Sequence, residues 1–270
     1  MELILYVLLG ILQGFTEPLP ISSSGHLILF RNIFNIQTIQ DLNFEIIVHF
    51  GSFIALFFIY RKDIFTLLRA FFGYLFHKKK RKTLKKDFRY CLYILLGCIP
   101  VGIAGLFLKD FLDLQSSNMH FLGISFLFTA FLLFLIRNKN GVKKEEDITF
   151  KNVLFIGFLQ IIVLFPGISR SGTVLVGCLL CGFSRKTALK YTFMLYFPIS
   201  LASMSLSVLD LLQKNLSNSL FLYYGSGLIA SLVVTYFSYQ WLSKIVLKGK
   251  IWKFSLYCLI LGSFVLFYFR

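Results

Sequence analysis

The chain has 270 residues, of which 57% are hydrophobic and 18% aromatic, including 33 phenylalanines. Soluble domains are about 45–50% apolar. Here the excess is spread along the whole chain, which excludes a soluble protein and predicts a multi-pass membrane protein without a separate soluble domain. The formal net charge of +16 comes from basic residues between apolar segments, so we expect a membrane and no nucleic-acid partner.

The first apolar segment ends in a polar cluster. Residues 10–29 read GILQGFTEPLPISSSGHLIL, and Pro18 and Pro20 interrupt any helix there. Before the cluster, Met1–Leu12 reaches only about halfway through a hydrocarbon core of about 30 Å. After it, Leu27–Phe34 is again apolar. Two half-helices around a break predict a re-entrant hairpin at membrane depth, where charged side chains are usually functional.

Three apolar spans follow in chain order: Phe44–Tyr60, Tyr90–Leu108 and Met119–Ile136. Glu45 and His49 lie one helical turn apart in the first of these spans. Residues 61–89 contain the most basic run of the chain and are predicted to be a solvated cytoplasmic loop that attracts anionic lipid headgroups, with Ile64–Phe76 on the membrane interface. A specific lipid site in this loop is the alternative.

A second copy of the polar cluster occupies residues 157–176, which read GFLQIIVLFPGISRSGTVLV. Aligned without a gap, the two copies share residues at Gly10 and Gly157, Leu12 and Leu159, Gln13 and Gln160, Ile21 and Ile168, Ser22 and Ser169, Ser24 and Ser171, and Gly25 and Gly172. Three more spans complete the chain: Tyr191–Leu209, Leu220–Leu242 and Phe254–Phe269. The same interrupted segment in both halves indicates a site near the bilayer midplane of an internally repeated protein.

The predicted fold is an all-α polytopic membrane protein with two inverted-topology repeats. Each repeat has one re-entrant helical hairpin and three transmembrane helices. Residues 1–270 form a single integral membrane domain, with repeat 1 at about 1–136 and repeat 2 at about 152–270. Because three spans per repeat is an odd number, the second hairpin enters from the opposite face, and the two polar tips can meet inside the bilayer.

The basic residues predict the orientation. Most of the 28 basic residues lie in loops on one side, namely 61–89, 137–151, 184–190 and 243–253. The loops on the other side contain only Arg31, Lys109 and Lys214. The positive-inside rule therefore places the basic loops in the cytoplasm and both termini outside.

Three charged residues lie inside apolar segments: Glu17, Glu45 and Arg170. The motif PGISRSG supplies backbone N–H groups, serines and a guanidinium, which suit a phosphate group. Glu17 and Glu45 would hold a divalent cation that neutralises a diphosphate. His26 would act as acid or base, and a neighbouring serine as nucleophile. The alternative is a buried ion pair of Glu45 with Arg170 that only stabilises the fold.

The pair Cys178 and Cys181 has the C-x-x-C spacing of redox and metal sites. No second cysteine pair accompanies it, as a metal site would need. The favoured interpretation is therefore two small hydrophobic residues on a helix.

GILQGFTEPLPISSSGHL together with FPGISRSG resembles the undecaprenyl-diphosphate phosphatase family, the bacitracin-resistance proteins of bacterial membranes. The resemblance extends to Phe44-Glu45 at the start of the first long span and to GFSR after the second motif. It implies hydrolysis of undecaprenyl diphosphate to the monophosphate and inorganic phosphate, which recycles the lipid carrier for peptidoglycan synthesis. It also implies a homodimer in the bacterial inner membrane, in contact with membrane lipids, with an active site open to the outer face.

Site residues are carried over by position. Glu17, Ser23, His26 and Arg170 are assigned to catalysis, with Ser23 as nucleophile and His26 as base. The phosphate-binding residues are Ser22, Ser169, Arg170, Ser171 and Thr173. The metal ligands are Gln13, Glu17 and Glu45, and the expected cation is Mg²⁺ or Ca²⁺.

Three positions depart from the family pattern. Gln13 stands where many members have glutamate, and an amide brings an oxygen but no charge to a metal. Pro18 replaces the usual aromatic residue. Thr173 lies one place before the usual threonine. A transporter or flippase for a phosphorylated lipid is the alternative function, because inverted repeats with broken helices recur in transporters.

Overall fold

The computed structural model describes residues 2–36, 42–115, 118–212 and 218–270, which form ten α-helices. In chain order these are α1 Glu2–Thr16, α2 Ser23–Ile33, α3 Leu42–Phe76, α4 Arg81–Gln115, α5 Met119–Leu135, α6 Phe150–Leu159, α7 Arg170–Leu180, α8 Arg185–Leu212, α9 Asn218–Leu247 and α10 Trp252–Tyr268. Each half of the chain has two short helices followed by three longer ones, which is the predicted order of elements.

Much of the helical surface is apolar. By length and composition, three helical segments in the described part of the chain can cross a membrane: Phe44–Phe76, Lys78–Leu108 and Leu220–Leu247. Large apolar side chains face outward, and Phe107 and Phe267 are 85% and 81% exposed. Exposed apolar surface of this extent is unfavourable in water, whereas contact with lipid chains stabilises it. The fold is therefore that of an all-helical, multi-pass membrane protein, as the composition predicted.

The first hairpin breaks at residues 17–22. Helix α1 runs to Thr16, about one turn further than predicted, and stops before Pro18, whose ring cannot continue a helix. Ser22 has a positive φ of 70°. Its hydroxyl accepts a hydrogen bond from the Gly25 N–H at 3.3 Å and caps α2. The break is thus followed by the N-terminus of α2, which carries the partial positive charge of the helix dipole.

The second hairpin is built in the same way. Helix α6 continues into a 3₁₀ turn at Gln160–Leu164. Gly167 then adopts a φ of +88°, which a residue with a side chain rarely tolerates. Ser169 caps α7 by accepting from the Gly172 N–H at 3.1 Å. Ser169 is the counterpart of Ser22, so the two copies of the motif start a helix by the same contact.

The hairpins pack across the two halves of the chain. Helix α1 packs on α9, and α6 packs on α4. A Cβ added to Gly10 would overlap the carbonyl oxygen of Gly227, and one added to Gly157 would lie 2.9 Å from the carbonyl oxygen of Gly97. Small residues allow such close approach of helices in a membrane. These contacts determine where the two breaks lie.

Gly10→Ala is expected to lower the unfolding temperature of the detergent-solubilised protein, because the new methyl group overlaps the backbone of Gly227 and overpacking costs about 1–3 kcal/mol. Gly225→Ala on the same partner helix is the matched control, since a Cβ there has no neighbour within 4 Å. It should be neutral or stabilising. Equal unfolding temperatures in thermal melts of the two variants would contradict the close approach.

Residues 61–89 form the end of α3, a short turn at 77–80 and the start of α4, so the prediction of a loop over this whole segment was wrong. Helix α3 continues through Ile64–Phe76, which is not a separate interfacial segment, and α4 begins at Arg81. The rings of Tyr74 and Phe88 stack between the two helices with centroids 4.0 Å apart. Lysine and arginine are good helix formers. The basic run at 77–89 therefore forms a short turn and the first part of α4.

The loops predicted on the outer side, 31–43, 109–118 and 210–219, are only partly described. Residues 37–41, 116–117 and 213–217, among them Lys214, lie outside the described residues.

Cys178 and Cys181 are free, and Cys178 is fully buried. This agrees with their interpretation as small hydrophobic residues.

Candidate active site

Glu17 lies in the break between α1 and α2 and is almost fully buried. Its Oε2 accepts hydrogen bonds from Ser23 Oγ at 2.5 Å and from Gln13 Nε2 at 2.8 Å. A serine hydroxyl that donates to a buried carboxylate has a proton acceptor within reach. The structure therefore brings together the predicted nucleophile Ser23 and the predicted acidic residue Glu17.

Arg170 is the first residue of α7 and reaches the first hairpin. Its Nη2 donates to Glu17 Oε1 at 3.0 Å, and its Nη1 donates to Ser200 Oγ at 3.1 Å. The guanidinium lies over the Tyr196 ring, 4.5 Å from the centroid, in a cation–π contact. The two hairpin tips are therefore in contact, as the repeat predicted, and three groups hold the guanidinium in one orientation.

These groups open onto a cavity of about 320 Å³ between the two breaks. Its polar wall contains Glu17, Arg170 and serines of both motifs, and its apolar wall includes Val101 of α4 and Phe193 of α8. A smaller cavity of about 100 Å³ shares Arg170 as part of its lining. A cationic fork, several hydroxyls and apolar walls suit a phosphate group attached to an apolar chain.

Glu45 is not the partner of Arg170. It lies in the first turn of α3 and forms an ion pair with Arg31 of α2. The alternative of a buried pair between Glu45 and Arg170 is therefore wrong. Arg170 pairs with Glu17 because both residues lie at a helix break, and the two breaks face each other.

His49 belongs to the site, although the sequence analysis assigned it no role. Its Nδ1 lies 3.0 Å from Gln13 Nε2 and 3.4 Å from Glu17 Oε2, and it lines the cavity. The signal in the sequence was an ionisable residue inside an apolar span, one turn after Glu45. Gln13 of α1 and His49 of α3 thus hold the Glu17 carboxylate from two helices.

His26 is not among the residues that line the cavity. Its Nδ1 donates to the Ser22 carbonyl oxygen, and its Nε2 accepts from the Tyr257 hydroxyl, both at 2.7 Å. The imidazole also stacks on the Tyr257 ring, with centroids 5.7 Å apart. A neutral imidazole with these partners has no nitrogen left for a substrate. In this structure His26 holds the turn that carries Ser22 and Ser23.

Only some of the predicted phosphate-binding residues line the cavity. Ser22 and Ser169 both line the cavity while capping their helices. Ser171 also lines it, and its hydroxyl donates to the Leu19 carbonyl oxygen at 2.9 Å, which ties the hairpins together. Thr173 is buried in α7 and is not part of the cavity lining.

The predicted cation ligands do not form one group. Glu45 is paired with Arg31, and the described residues contain no cluster of at least three His, Cys, Asp or Glu that could hold a metal. Gln13 and Glu17 do lie together, and Gln13 Oε1 is buried with no partner among the described residues. One amide and one carboxylate beside substrate phosphates match the way Mg²⁺ is usually bound. Of the predicted ligands, Gln13 and Glu17 are therefore neighbours, whereas Glu45 lies apart from them at Arg31.

The fold and this site define a multi-pass membrane protein with an arginine–glutamate–serine centre where two interrupted helical hairpins meet, and the glutamate of this centre is buried. The chain belongs to the BacA family: the sequence model described as "Bacitracin resistance protein BacA" matches residues 6–264.

Similar proteins cover nearly the whole chain. It is 38% identical over 263 residues to "Undecaprenyl-diphosphatase 2" of Bacillus thuringiensis, and the matched region covers 97% of this chain and 96% of the relative. It is 39% identical over 267 residues to "Undecaprenyl-diphosphatase 1" of Bacillus licheniformis, with 98% of each chain covered. It is 40% identical over 264 residues to "Undecaprenyl-diphosphatase 1" of Halalkalibacterium halodurans, with 98% and 95% covered.

Proposed function

We propose that this protein hydrolyses undecaprenyl diphosphate to undecaprenyl phosphate and inorganic phosphate. The similar proteins are named undecaprenyl-diphosphatases. Membership in the bacitracin-resistance family supports a role in bacitracin resistance, through recycling of the lipid carrier for peptidoglycan synthesis. The observation that carries the proposal is the contact of both Ser23 and Arg170 with one carboxylate, Glu17, beside a cavity with apolar walls.

In the first step Ser23 attacks the terminal phosphorus. Glu17 accepts the hydroxyl proton as the Oγ–P bond forms, and the P–O bond to the inner phosphate breaks, so undecaprenyl phosphate leaves with the bonding electrons. The proton then passes from Glu17 to solvent. In the second step water attacks the phosphoserine and gives a proton to Glu17. The Oγ–P bond breaks, inorganic phosphate leaves, and Ser23 regains a proton. This proposal moves the base from His26 to Glu17.

Arg170 supplies the positive charge of the site. Its planar fork matches two phosphate oxygens, and a donor fixed in place before the reaction stabilises charge that develops on the phosphoryl group. The start of α7 adds backbone N–H groups and a partial positive charge. A divalent cation held by Gln13 and Glu17 with the substrate phosphates would neutralise part of the diphosphate charge.

Release of phosphate tests the function. Purified protein incubated with undecaprenyl diphosphate should release inorganic phosphate, and a chelator should lower the rate if Gln13 and Glu17 share a cation with the substrate. A transporter or flippase would move labelled lipid between leaflets without releasing phosphate. Movement of lipid in the absence of phosphate release would overturn the hydrolase proposal.

Ser23→Ala is expected to lower turnover by about three decades or more, because removal of a nucleophile costs on this order. Ser24→Ala is a comparison at the neighbouring hydroxyl, which contacts Ser22 instead of Glu17, and its loss should be far smaller. Phosphate release and a search for phosphoserine in quenched reactions measure both. An active Ser23→Ala enzyme would remove the serine nucleophile and leave direct attack by water.

We also propose that the fold consists of two inverted repeats in the bacterial inner membrane, with the basic loops in the cytoplasm and the cavity open to the outer face. Three observations support it. Both halves have the same order of helices, Ser22 and Ser169 cap α2 and α7 by the same contact, and each hairpin packs on a helix of the other half. In a cysteine-free background, an impermeant maleimide should label Asn35→Cys in intact spheroplasts and Lys139→Cys only after permeabilisation. The reverse pattern would overturn the orientation. The expected homodimer is tested by the mass of the solubilised protein.

A further inference from the structure

A second cavity, of about 430 Å³, lies away from the active site. The start of α4, the segment before α6 and the start of α8 form it. Lys186 of α8 lines this cavity, whereas Tyr196 of the same helix lines the active-site cavity. Ten helical residues correspond to about 15 Å. The cavity is therefore a separate site, and it lies at the end of the helices where the basic residues collect.

Four basic side chains line this cavity: Lys86, Arg89, Lys144 and Lys186. Two of the three acidic residues in the lining have basic partners, since Glu146 lies 3.3 Å from Lys86 and Glu145 lies 3.0 Å from Lys190. Asp87 is the third acidic residue. Lys144 and Lys186 form no ion pair among the described residues, so two ammonium groups are available to an anion.

Neutral polar side chains complete the lining. Ser184 and Thr187 lie at the start of α8, where the first turn of a long helix presents a partial positive charge. Their hydroxyls are hydrogen-bonded to each other at 2.9 Å, and Ser184 Oγ accepts from the Thr187 N–H. Tyr90 also lines the cavity. It is 6% exposed, and its hydroxyl has no hydrogen-bond partner among the described residues. A buried hydroxyl without an acceptor is unfavourable, and a ligand oxygen would supply the missing acceptor.

We propose that this cavity binds a phosphate group, either on the headgroup of an anionic lipid or as inorganic phosphate. Lysine, arginine and helix N–H groups are donors only, and a phosphate group accepts from all of them. Tyr90 and Tyr93 in the lining belong to a residue type enriched at membrane interfaces, where lipid headgroups carry phosphate. The site does not depend on the hydrolysis of undecaprenyl diphosphate.

Thermal unfolding of the full chain tests the proposal in nanodiscs of phosphatidylcholine, alone, with added inorganic phosphate, or mixed with phosphatidylglycerol. Ligand that binds only the folded state raises the unfolding temperature. A rise with phosphatidylglycerol identifies a lipid headgroup, and a rise with inorganic phosphate identifies the free ion. Lys144→Gln combined with Lys186→Gln should remove most of the rise. Lys139→Gln combined with Lys248→Gln, at exposed positions outside the cavity, should keep it.

Tyr90→Phe separates binding from folding, because it deletes only the hydroxyl that lacks a partner. The unfolding temperature without ligand should stay the same or rise. The affinity for the phosphate group should fall about tenfold, as expected when a hydrogen bond to a charged group is lost. The proposal is overturned if neither ligand stabilises the wild type. It is also overturned if the paired cavity variant and Tyr90→Phe keep the full stabilisation.

Discussion

Glu17→Gln is expected to remove nearly all phosphate release, with a loss of about 10²- to 10⁴-fold for a missing general base. The amide has the shape of the carboxyl group and can still accept a hydrogen bond from Ser23, which lies 2.5 Å from Glu17. It cannot take the hydroxyl proton, and it brings no charge to a cation or to Arg170. Turnover measured over a range of Mg²⁺ concentrations, with a thermal melt of the same sample, separates lost chemistry from lost folding.

Two other glutamates provide comparisons. Glu2→Gln makes the same change at the exposed start of α1 and should keep wild-type turnover. Glu45→Gln tests the predicted metal set: because Glu45 pairs with Arg31, its loss should be smaller than that of Glu17→Gln. An equal loss that excess Mg²⁺ restores would return Glu45 to the ligands. Near-normal turnover of Glu17→Gln at low metal concentration would exclude Glu17 as both base and ligand.

Arg170→Lys should lose two to three decades of turnover. A lysine keeps the charge, but its ammonium is a point charge that cannot reproduce the planar two-donor fork. Loss of one oriented donor at a developing negative charge costs about 3–4 kcal/mol. In the structure Glu17, Ser200 and Tyr196 hold the guanidinium, so its orientation is set before substrate enters. The kcat of phosphate release measures the effect.

The ion pair of Arg170 with Glu17 makes a structural role the competing explanation. In that case Arg170→Lys would keep much of the activity, and Arg170→Ala would destabilise the protein by removing the arginine partner of the buried Glu17 carboxylate. Ser200→Ala removes one contact of the guanidinium without changing charge, and an intermediate loss of turnover is expected. If Arg170→Lys turns over at nearly the wild-type rate while Arg170→Ala unfolds early, the phosphate role of Arg170 is lost.

Composition and repeat together determined the class of protein and the order of its helices. The prolines located the first break, and the shared serines and glycines located the second. The residues that meet there were also predictable in part, because Glu17 and Arg170 are ionisable groups inside apolar segments. These inferences depend on local features, namely helix breakers, charge and apolar length. Ser23 was assigned only through the resemblance to the family, and the structure places its hydroxyl on Glu17.

Only the tertiary structure decided which side chains became partners. It paired Arg170 with Glu17 and left Glu45 to Arg31, and it turned His26 to Tyr257 while placing His49 against Gln13. Helices that are apolar on all sides carry no periodic pattern to show which face turns inward. Partners from distant parts of the chain are set by how closely helices pack, as at Gly10 and Gly227. Such packing depends on the shape of both surfaces, which neither segment specifies alone.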